Sequence, residues 1–211
     1  MKNSIVYSLY VDVRDCVLYL YDAYEEMSCN DFILRTFTGK PLPADWKLPK
    51  HKAEYTKFPL NDFVDGFTRA PFVSGRAKQA LEPVIGQEAE FRAIGKILGN
   101  DYYIMNVTNI VDCLDEKKSD LIYSPDDGRV LSLRQAVFVP DRLPDASLFG
   151  VPQDVTPIYA TDRFVEAVRK YRLTGVGFEL SNHVGVALRN NAFPDLPLRT
   201  ENRAAPSRPV R

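Results

Sequence analysis

The hydrophobic and polar positions of the chain form one pattern twice. Six positions match when the residues from Phe72 onward are aligned with those from Tyr159 onward. The matched pairs are Phe72/Tyr159, Ser74/Thr161, Arg76/Arg163, Ala80/Ala167, Leu81/Val168 and Phe91/Phe178. Each copy predicts an extended segment led by an aromatic residue, a hydroxyl N-cap, a short helix and a second extended segment. Two explanations remain open: a structural duplication, or two unrelated capped helices that look alike.

The predicted helices follow from spacing and capping. Ser74 and Thr161 can each accept a hydrogen bond from an amide in the first helical turn. Pro83 predicts an early end for the first helix, and Gly175 marks a stop for the second. We expect both helices to pack against a shared sheet through apolar faces at i, i+3, i+4 spacing: Ala77, Ala80 and Leu81 in the first, and Phe164, Ala167, Val168 and Tyr171 in the second.

The N-terminal part predicts strands followed by a proline-rich connection. Apolar residues alternate with polar ones from Ile5 to Val13, and Val17–Tyr21 and Phe32–Phe37 are further candidate strands, which together indicate an antiparallel meander. Four prolines between residues 39 and 59 exclude a regular helix or a central strand there. Trp46 lies among them, either as an apolar anchor, which we favour, or as the centre of a recognition loop.

Strand patterns dominate the second half of the chain. Residues 102–114 alternate with one mostly apolar face, and a turn at 124–128 separates two runs that predict a hairpin, 121–123 and 130–133. Residues 141–157 read as a loop with an apolar plug at Leu148-Phe149. A last strand is expected around Val184–Leu188, and the arginine- and proline-rich residues from Asn191 predict disorder. The fold class is therefore α+β: mostly antiparallel sheets with a few short helices, including two similar strand-helix-strand units.

Composition narrows the class of protein. The 211 residues are 45% hydrophobic and 11% aromatic, enough for a sizeable core, and the formal net charge is −1. This charge argues against a general nucleic-acid or membrane binder. Cys16, Cys29 and Cys113 have no ligand spacing and are expected to be reduced thiols. The N-terminal run lacks the features of a signal peptide and no apolar stretch is long enough to span a membrane, so we expect a cytoplasmic protein.

No catalytic motif is visible, and we expect no cofactor or metal. His51 and His183 are far apart in sequence, and neither lies in a ligand or nucleophile motif. The acidic residues Asp112, Asp115 and Glu116 have three interpretations, in falling order: a solvated strand end, a contact surface for a basic partner, or a hard-cation site.

Three blocks of residues together resemble a bacterial protein family. They are Phe72-Val73-Ser74 with Arg76 and Ala80-Leu81-Glu82-Pro83, then Tyr102-Tyr103-Ile104-Met105-Asn106-Val107 with Val111-Asp112-Cys113-Leu114-Asp115, and finally Ile158-Tyr159-Ala160-Thr161-Asp162-Arg163-Phe164 with Leu173-Thr174-Gly175-Val176-Gly177-Phe178-Glu179. The family is the one numbered eleven among the immunity proteins of polymorphic toxin systems. The resemblance covers about Phe58 to Leu180 and implies a non-enzymatic protein that neutralises a cognate toxin by blocking its active site or substrate access.

The expected organisation and contacts combine both lines of argument. Residues 1–57 supply N-terminal strands and the proline-rich connection, 58–189 the main immunity-like domain, and 190–211 a disordered tail. The partner is a protein toxin, with no direct contact to nucleic acid or membrane, and the candidate toxin contacts are Asp112, Asp115, Glu116 and Trp46. The alternatives are a small-molecule-binding enzyme of unknown reaction and a structural adaptor.

Overall fold

The computed structural model describes residues 5–11, 18–20, 35–48, 52–54, 60–67 and 69–181. The strands within these ranges are β1 (Val6–Val11), β2 (Leu18–Leu20), β3 (Lys52–Glu54), β4 (Phe63–Phe67), β5 (Ala70–Ser74), β6 (Ala89–Ile97), β7 (Asn100–Val107), β8 (Asp120–Tyr123), β9 (Val130–Gln135), β10 (Leu148–Val151), β11 (Asp154–Thr161) and β12 (Val176–Leu180). The helices with complete bounds are α1 (Gly75–Ile85), α2 (Asp162–Lys170) and a 3₁₀ turn at Pro140–Arg142. None of the helices in these ranges is long and apolar enough to cross a lipid bilayer.

The first four-stranded sheet has the order β4-β5-β7-β6, with antiparallel neighbours throughout. The chain leaves β5 through α1 and enters β6, which runs parallel to β5. It then turns back as β7 and fills the space between them. This first unit therefore consists of the hairpin β4-β5, the helix α1, the strand β6 and the strand β7, which returns to the centre of the sheet.

The second sheet repeats this layout with one strand from elsewhere. Its order is β10-β11-β1-β12, again with antiparallel neighbours. The hairpin β10-β11 leads through α2 to β12, but the central position is taken by β1, from near the start of the chain. The predicted α+β class is confirmed. The expectation of a shared sheet is wrong, because each helix packs on the sheet of its own unit.

Three hydrophobic clusters hold these layers together. The largest lies between the inner faces of the two sheets and their helices, and includes Val73, Leu81, Met105 and Phe164. A second cluster covers the outer face of the first sheet, and a third covers the outer face of the second. Both faces of β7 are therefore buried, whereas the sequence pattern predicted one apolar face. Each fully buried apolar side chain contributes about 1.5–3 kcal/mol.

Pairing in the N-terminal part differs from the predicted meander. β1 pairs with β11 and β12, and β2 pairs in a two-stranded sheet with β3, which lies within the proline-rich connection. Residues 35–36 are helical, so the predicted strand Phe32–Phe37 is wrong at that end. The differences in pairing share a cause: the period-2 pattern identifies a strand but not its partner.

The helix ends also differ from the predictions. Pro83 lies inside α1, which continues to Ile85 and ends at the C-cap Gly86. Helix α2 ends at Lys170, where Leu173 N donates to Val168 O at 2.9 Å and Arg172 adopts a φ of +49°. This 6→1 bond closes the helix before Gly175. Tyr171 therefore follows the helix and is 40% exposed, contrary to its predicted place on the buried face.

The remaining strand predictions have mixed outcomes. The hairpin β8-β9 is confirmed, whereas the strand predicted from 102 to 114 ends at Val107. The predicted loop 141–157 contains β10 and the start of β11, and Leu148 and Phe149 are fully buried there. The last predicted strand, the predicted disordered tail, Cys16, Cys29 and both histidines lie outside the described residues.

Candidate functional site

A buried carboxylate connects the first unit to the end of the second. Asp62 precedes β4 and is only 6% exposed. Its carboxylate accepts hydrogen bonds from Ser74 Oγ at 2.8 Å, Arg76 Nε at 3.0 Å and Thr174 N at 3.0 Å, and Arg76 Nη2 also bonds it. We call these four residues the Asp62 network. Burial of the carboxylate is tolerated because it accepts charge-assisted hydrogen bonds from Arg76 and further hydrogen bonds from neutral donors of Ser74 and Thr174.

Arg76 extends this network to the C-terminus of the opposite helix. Its Nη1 donates to Tyr171 O at 2.9 Å and its Nη2 to Arg172 O at 3.2 Å. These carbonyls follow α2, where the helix dipole is negative and the last carbonyls lack intrahelical partners. Arg76, at the start of α1, therefore supplies hydrogen-bond donors to the carbonyl oxygens that follow α2.

The second unit has a reciprocal arrangement that is less complete. Arg163, the matching arginine of α2, donates to Val84 O near the end of α1, but at 3.4 Å. Ser147 takes the position of Asp62, because its carbonyl accepts from Thr161 N as that of Asp62 does from Ser74 N. The carboxylate here comes instead from Glu88, which accepts from Ser147 N and Leu148 N at 2.8–2.9 Å.

The two N-cap residues also differ, and again the first unit has the additional hydrogen bond. Ser74 Oγ accepts from Ala77 N at 3.1 Å, as predicted. Thr161 is also an N-cap, but its hydroxyl accepts no hydrogen bond from the helix and donates to Ala146 O at 2.7 Å. The predicted side-chain cap is therefore confirmed at Ser74 and wrong at Thr161.

An open groove of about 640 Å³ lies where Arg163 approaches the end of α1. It runs between the C-terminal turn of α1, residues 108–109 and residues 144–146, with Glu88 and Arg163 among its lining residues. Arg163 is 54% exposed there and is 4.0 Å from the carboxylate of Asp145, which is 88% exposed. Such an exposed pair contributes about 0–1 kcal/mol and does not fix the arginine in place.

Two of the three predicted acidic residues come together, and the third is separately paired. Asp112 and Glu116 both accept from Gln153 Nε2, at 3.3 and 2.8 Å. Asp115 forms an ion pair with Lys118 at 3.0 Å, and this hydrogen bond holds the pKa of Asp115 below its usual range. Within the described residues, no group of His, Cys, Asp and Glu side chains could hold a metal ion.

Trp46 lies apart from these acids, against the second cluster. It is half-buried, and its ring meets that of Phe37 edge-to-face, with centroids 6.1 Å apart. The interpretation of Trp46 as an apolar anchor matches this packing. The acidic residues flank Cys113 and Leu114 of the third cluster, on the other sheet. Sequence reasoning therefore grouped as contacts two regions that pack on different sheets.

Burial is the main cause of the resolved pKa shifts at three side chains of the core. Burial raises the pKa of the Cys113 thiol to about 11, with a smaller contribution from Asp112. Burial, followed by the nearby Asp162 carboxylate, raises the pKa of Tyr7 well above its usual range. Burial also lowers the pKa of Arg69 from its usual range, and its Nε has no hydrogen-bond partner among the residues that the structure describes.

Sequence reasoning missed Asp62 and Glu88, the two carboxylates around which the units join. Neither lies in a recognisable motif. The available signal was Arg76 beside the N-cap Ser74, because two donors so close together indicate a buried acceptor.

The family comparison agrees with the sequence blocks that carried the resemblance. The model of the immunity protein family Imm11 matches residues 21–182, well over half of the chain. The chain belongs to the Imm11 immunity protein family. The matched range includes the whole Asp62 network, the Glu88 contacts, the acidic residues and Trp46. It leaves out β1, which completes the second sheet of this Imm11 protein. No match to the chain is found among curated proteins.

Proposed function

We propose that this Imm11 protein binds a cognate bacterial toxin and neutralises it by blocking its active site or its access to substrate. The protein acts by binding, without chemistry of its own, in the cytoplasm of the cell that carries the polymorphic toxin system. The single observation that carries this proposal is the family match over residues 21–182.

The surface chemistry supports a binding role with a basic partner. Asp112 and Glu116 share one amide donor and are otherwise open to solvent, since both residues are exposed. Their carboxylates, with that of Asp115, can imitate the phosphates that a nuclease-like toxin binds. Trp46 offers a half-buried aromatic side chain of the kind found at interfaces, on a separate part of the surface. We include all four as proposed toxin contacts.

Co-expression tests the proposed function directly. The protein encoded by the adjacent gene is expressed in a bacterial host with and without this chain. We expect growth arrest without the chain, rescue with it, and co-purification of the two proteins in a fixed ratio. Rescue without co-purification would indicate a catalytic or indirect route and would contradict neutralisation by binding.

Charge reversal tests the acidic contacts separately. Replacing Asp112, Asp115 and Glu116 together by lysine is expected to weaken toxin binding at least tenfold at low salt, because the partner's basic groups then meet like charges. Unchanged affinity in a folded triple variant would contradict the role of these acids but not the toxin-binding function.

A further inference from the structure

Two exposed apolar side chains lie together on the hairpin β8-β9. Tyr123 is 51% exposed and Leu131 is 58% exposed, more than any other large hydrophobic residue of the described part. Tyr123 pairs with Val130 and Ile122 with Ser132, so Leu131 is an extra residue between these two pairs. This irregularity places Leu131 beside Tyr123 at the turn end of the hairpin. Single exposed apolar residues are ordinary on a surface, whereas these two adjoin and form one small apolar patch.

The hairpin holds these side chains on a fixed support. Leu121 and Leu133, at its other end, pack against the third cluster. Leu133 N donates to a carboxylate oxygen of Asp154 at 3.1 Å, which joins the hairpin to the start of β11. An anchored support lowers the entropy lost when a partner binds.

Acidic residues surround the same hairpin. Residues 112–127 contain six carboxylates and two lysines, although the whole chain carries a net charge of only −1. Asp112 and Glu116 bond Gln153, the residue before Asp154, so this pair lies beside the hairpin. Asp120 begins β8 and is exposed; a strand rise of about 3.3 Å per residue puts it roughly 10 Å from Tyr123.

Positive charge on the hairpin is limited. Arg129 pairs with Asp127 in the turn, while Arg134 is exposed on β9 next to Leu133. The surface therefore has an apolar pair near the turn with carboxylates on both sides of it: Asp126 and Asp127 in the turn, and Asp120 at the start of β8. This is the arrangement of an interface with an apolar centre and a charged rim.

We propose that the hairpin β8-β9 is the main docking surface for the toxin, with Tyr123 and Leu131 at its centre and the acidic residues at its rim. The matching face of the toxin carries an apolar pocket bordered by lysine and arginine side chains. This inference rests on the proposed function. A standard interface buries about 800 Å² on each partner, which is enough to cover both ends of the hairpin.

Matched variants of the full chain test this surface against the purified toxin domain encoded by the adjacent gene. Tyr123→Ala and Leu131→Asp change the hairpin. Tyr171→Ala and Leu98→Asp are the controls, since Tyr171 and Leu98 are the same residue types, 40% and 42% exposed, on other parts of the protein. Affinity is measured by biolayer interferometry, and folding by circular dichroism and thermal unfolding.

We expect each hairpin variant to weaken binding at least tenfold and each control to stay within about threefold of wild type, with unchanged unfolding temperatures for all four. The wild-type association rate should fall as salt rises from 50 to 200 mM, because the rim is charged. If wild type does not bind, the proposed function itself fails. If wild type binds but the hairpin variants bind equally well, only the assignment of the hairpin is overturned.

Discussion

Gly175 lies where the chain after α2 passes directly over the start of β4. Its φ is +83°, and a Cβ at this position would lie 2.1 Å from the Phe63 carbonyl oxygen and 2.5 Å from Asn61 Cβ. A real Cβ atom essentially never approaches backbone this closely, so one of the two units would have to shift. The glycine is required by the join between Thr174 and β4, and not by the end of α2, where the sequence placed its role.

Gly175→Ala is therefore expected to destabilise the protein by about 3 kcal/mol, from the left-handed backbone conformation and the contact with Phe63 together. Gly99→Ala provides the control, since Gly99 also has a φ of +83° but no atom within 4 Å of its Cβ position. We expect about 1 kcal/mol for the control. Urea unfolding of both variants gives the comparison, and equal losses would show that contact with β4 does not constrain Gly175.

At the scale of elements, each helix supplies an arginine that bonds carbonyl oxygens at the end of the other helix, but the two arginines make unequal contacts. Arg76 bonds the buried carboxylate of Asp62 and two carbonyls after α2, whereas Arg163 makes one long bond and one exposed ion pair. Arg76→Ala leaves the Asp62 carboxylate with fewer donors in a buried position. The expected loss in free energy of unfolding is about 2–3 kcal/mol.

The matching variant Arg163→Ala is expected to change the free energy of unfolding by less than about 0.5 kcal/mol, because its contacts are long and exposed. A double-mutant cycle of Arg76→Ala with Asp62→Ala isolates the pair and should give a coupling energy of about 2 kcal/mol. Similar losses for Arg76→Ala and Arg163→Ala would mean that both arginines act only through the helix dipoles.

Elements with local signals could be predicted from the sequence, and those set by distant partners could not. The hydroxyl N-caps located α1 and α2, and the turn at 124–128 located the hairpin β8-β9. Strand β10 was missed because its four residues lie in a proline-interrupted stretch but are all buried by the second sheet. No local feature of β1 specifies that its partners are β11 and β12.

The site was harder to predict than the elements for the same reason. The Asp62 network joins residues 12, 14 and 112 positions away from Asp62. Sequence reading identified Ser74 and Arg76 as repeated positions but could not supply the acid between them. It identified Asp112, Asp115 and Glu116 by charge, yet it could not show that Gln153 brings only two of them together.

At the scale of the whole molecule, the two units have the same arrangement of strands and helix, but their central strands come from different places in the chain. In the first unit, β6 turns directly into the central strand β7 through Leu98 and Gly99, both with positive φ. In the second unit, the central strand β1 pairs with β12 so that Tyr7 lies opposite Leu180. Ser181 N also donates to Val6 O at 3.0 Å, so the end of β12 and the start of β1 are adjacent. Joining them would reproduce the β6-β7 hairpin.

This relation predicts the behaviour of two rearranged chains. Deleting residues 1–11 removes the central strand of the second sheet, together with the buried Val6 and Tyr7, and should abolish cooperative unfolding, although the deletion leaves the family-matched range intact. Moving residues 5–11 to follow Ser181 through an Asn-Gly turn restores the strand by the connection that the first unit uses. We expect the moved strand to recover a cooperative thermal transition and the native circular dichroism spectrum. A deleted chain that unfolds as cooperatively as wild type would show that β1 is not part of the stable sheet, and a rearranged chain that stays unfolded would refute the equivalence of β1 and β7.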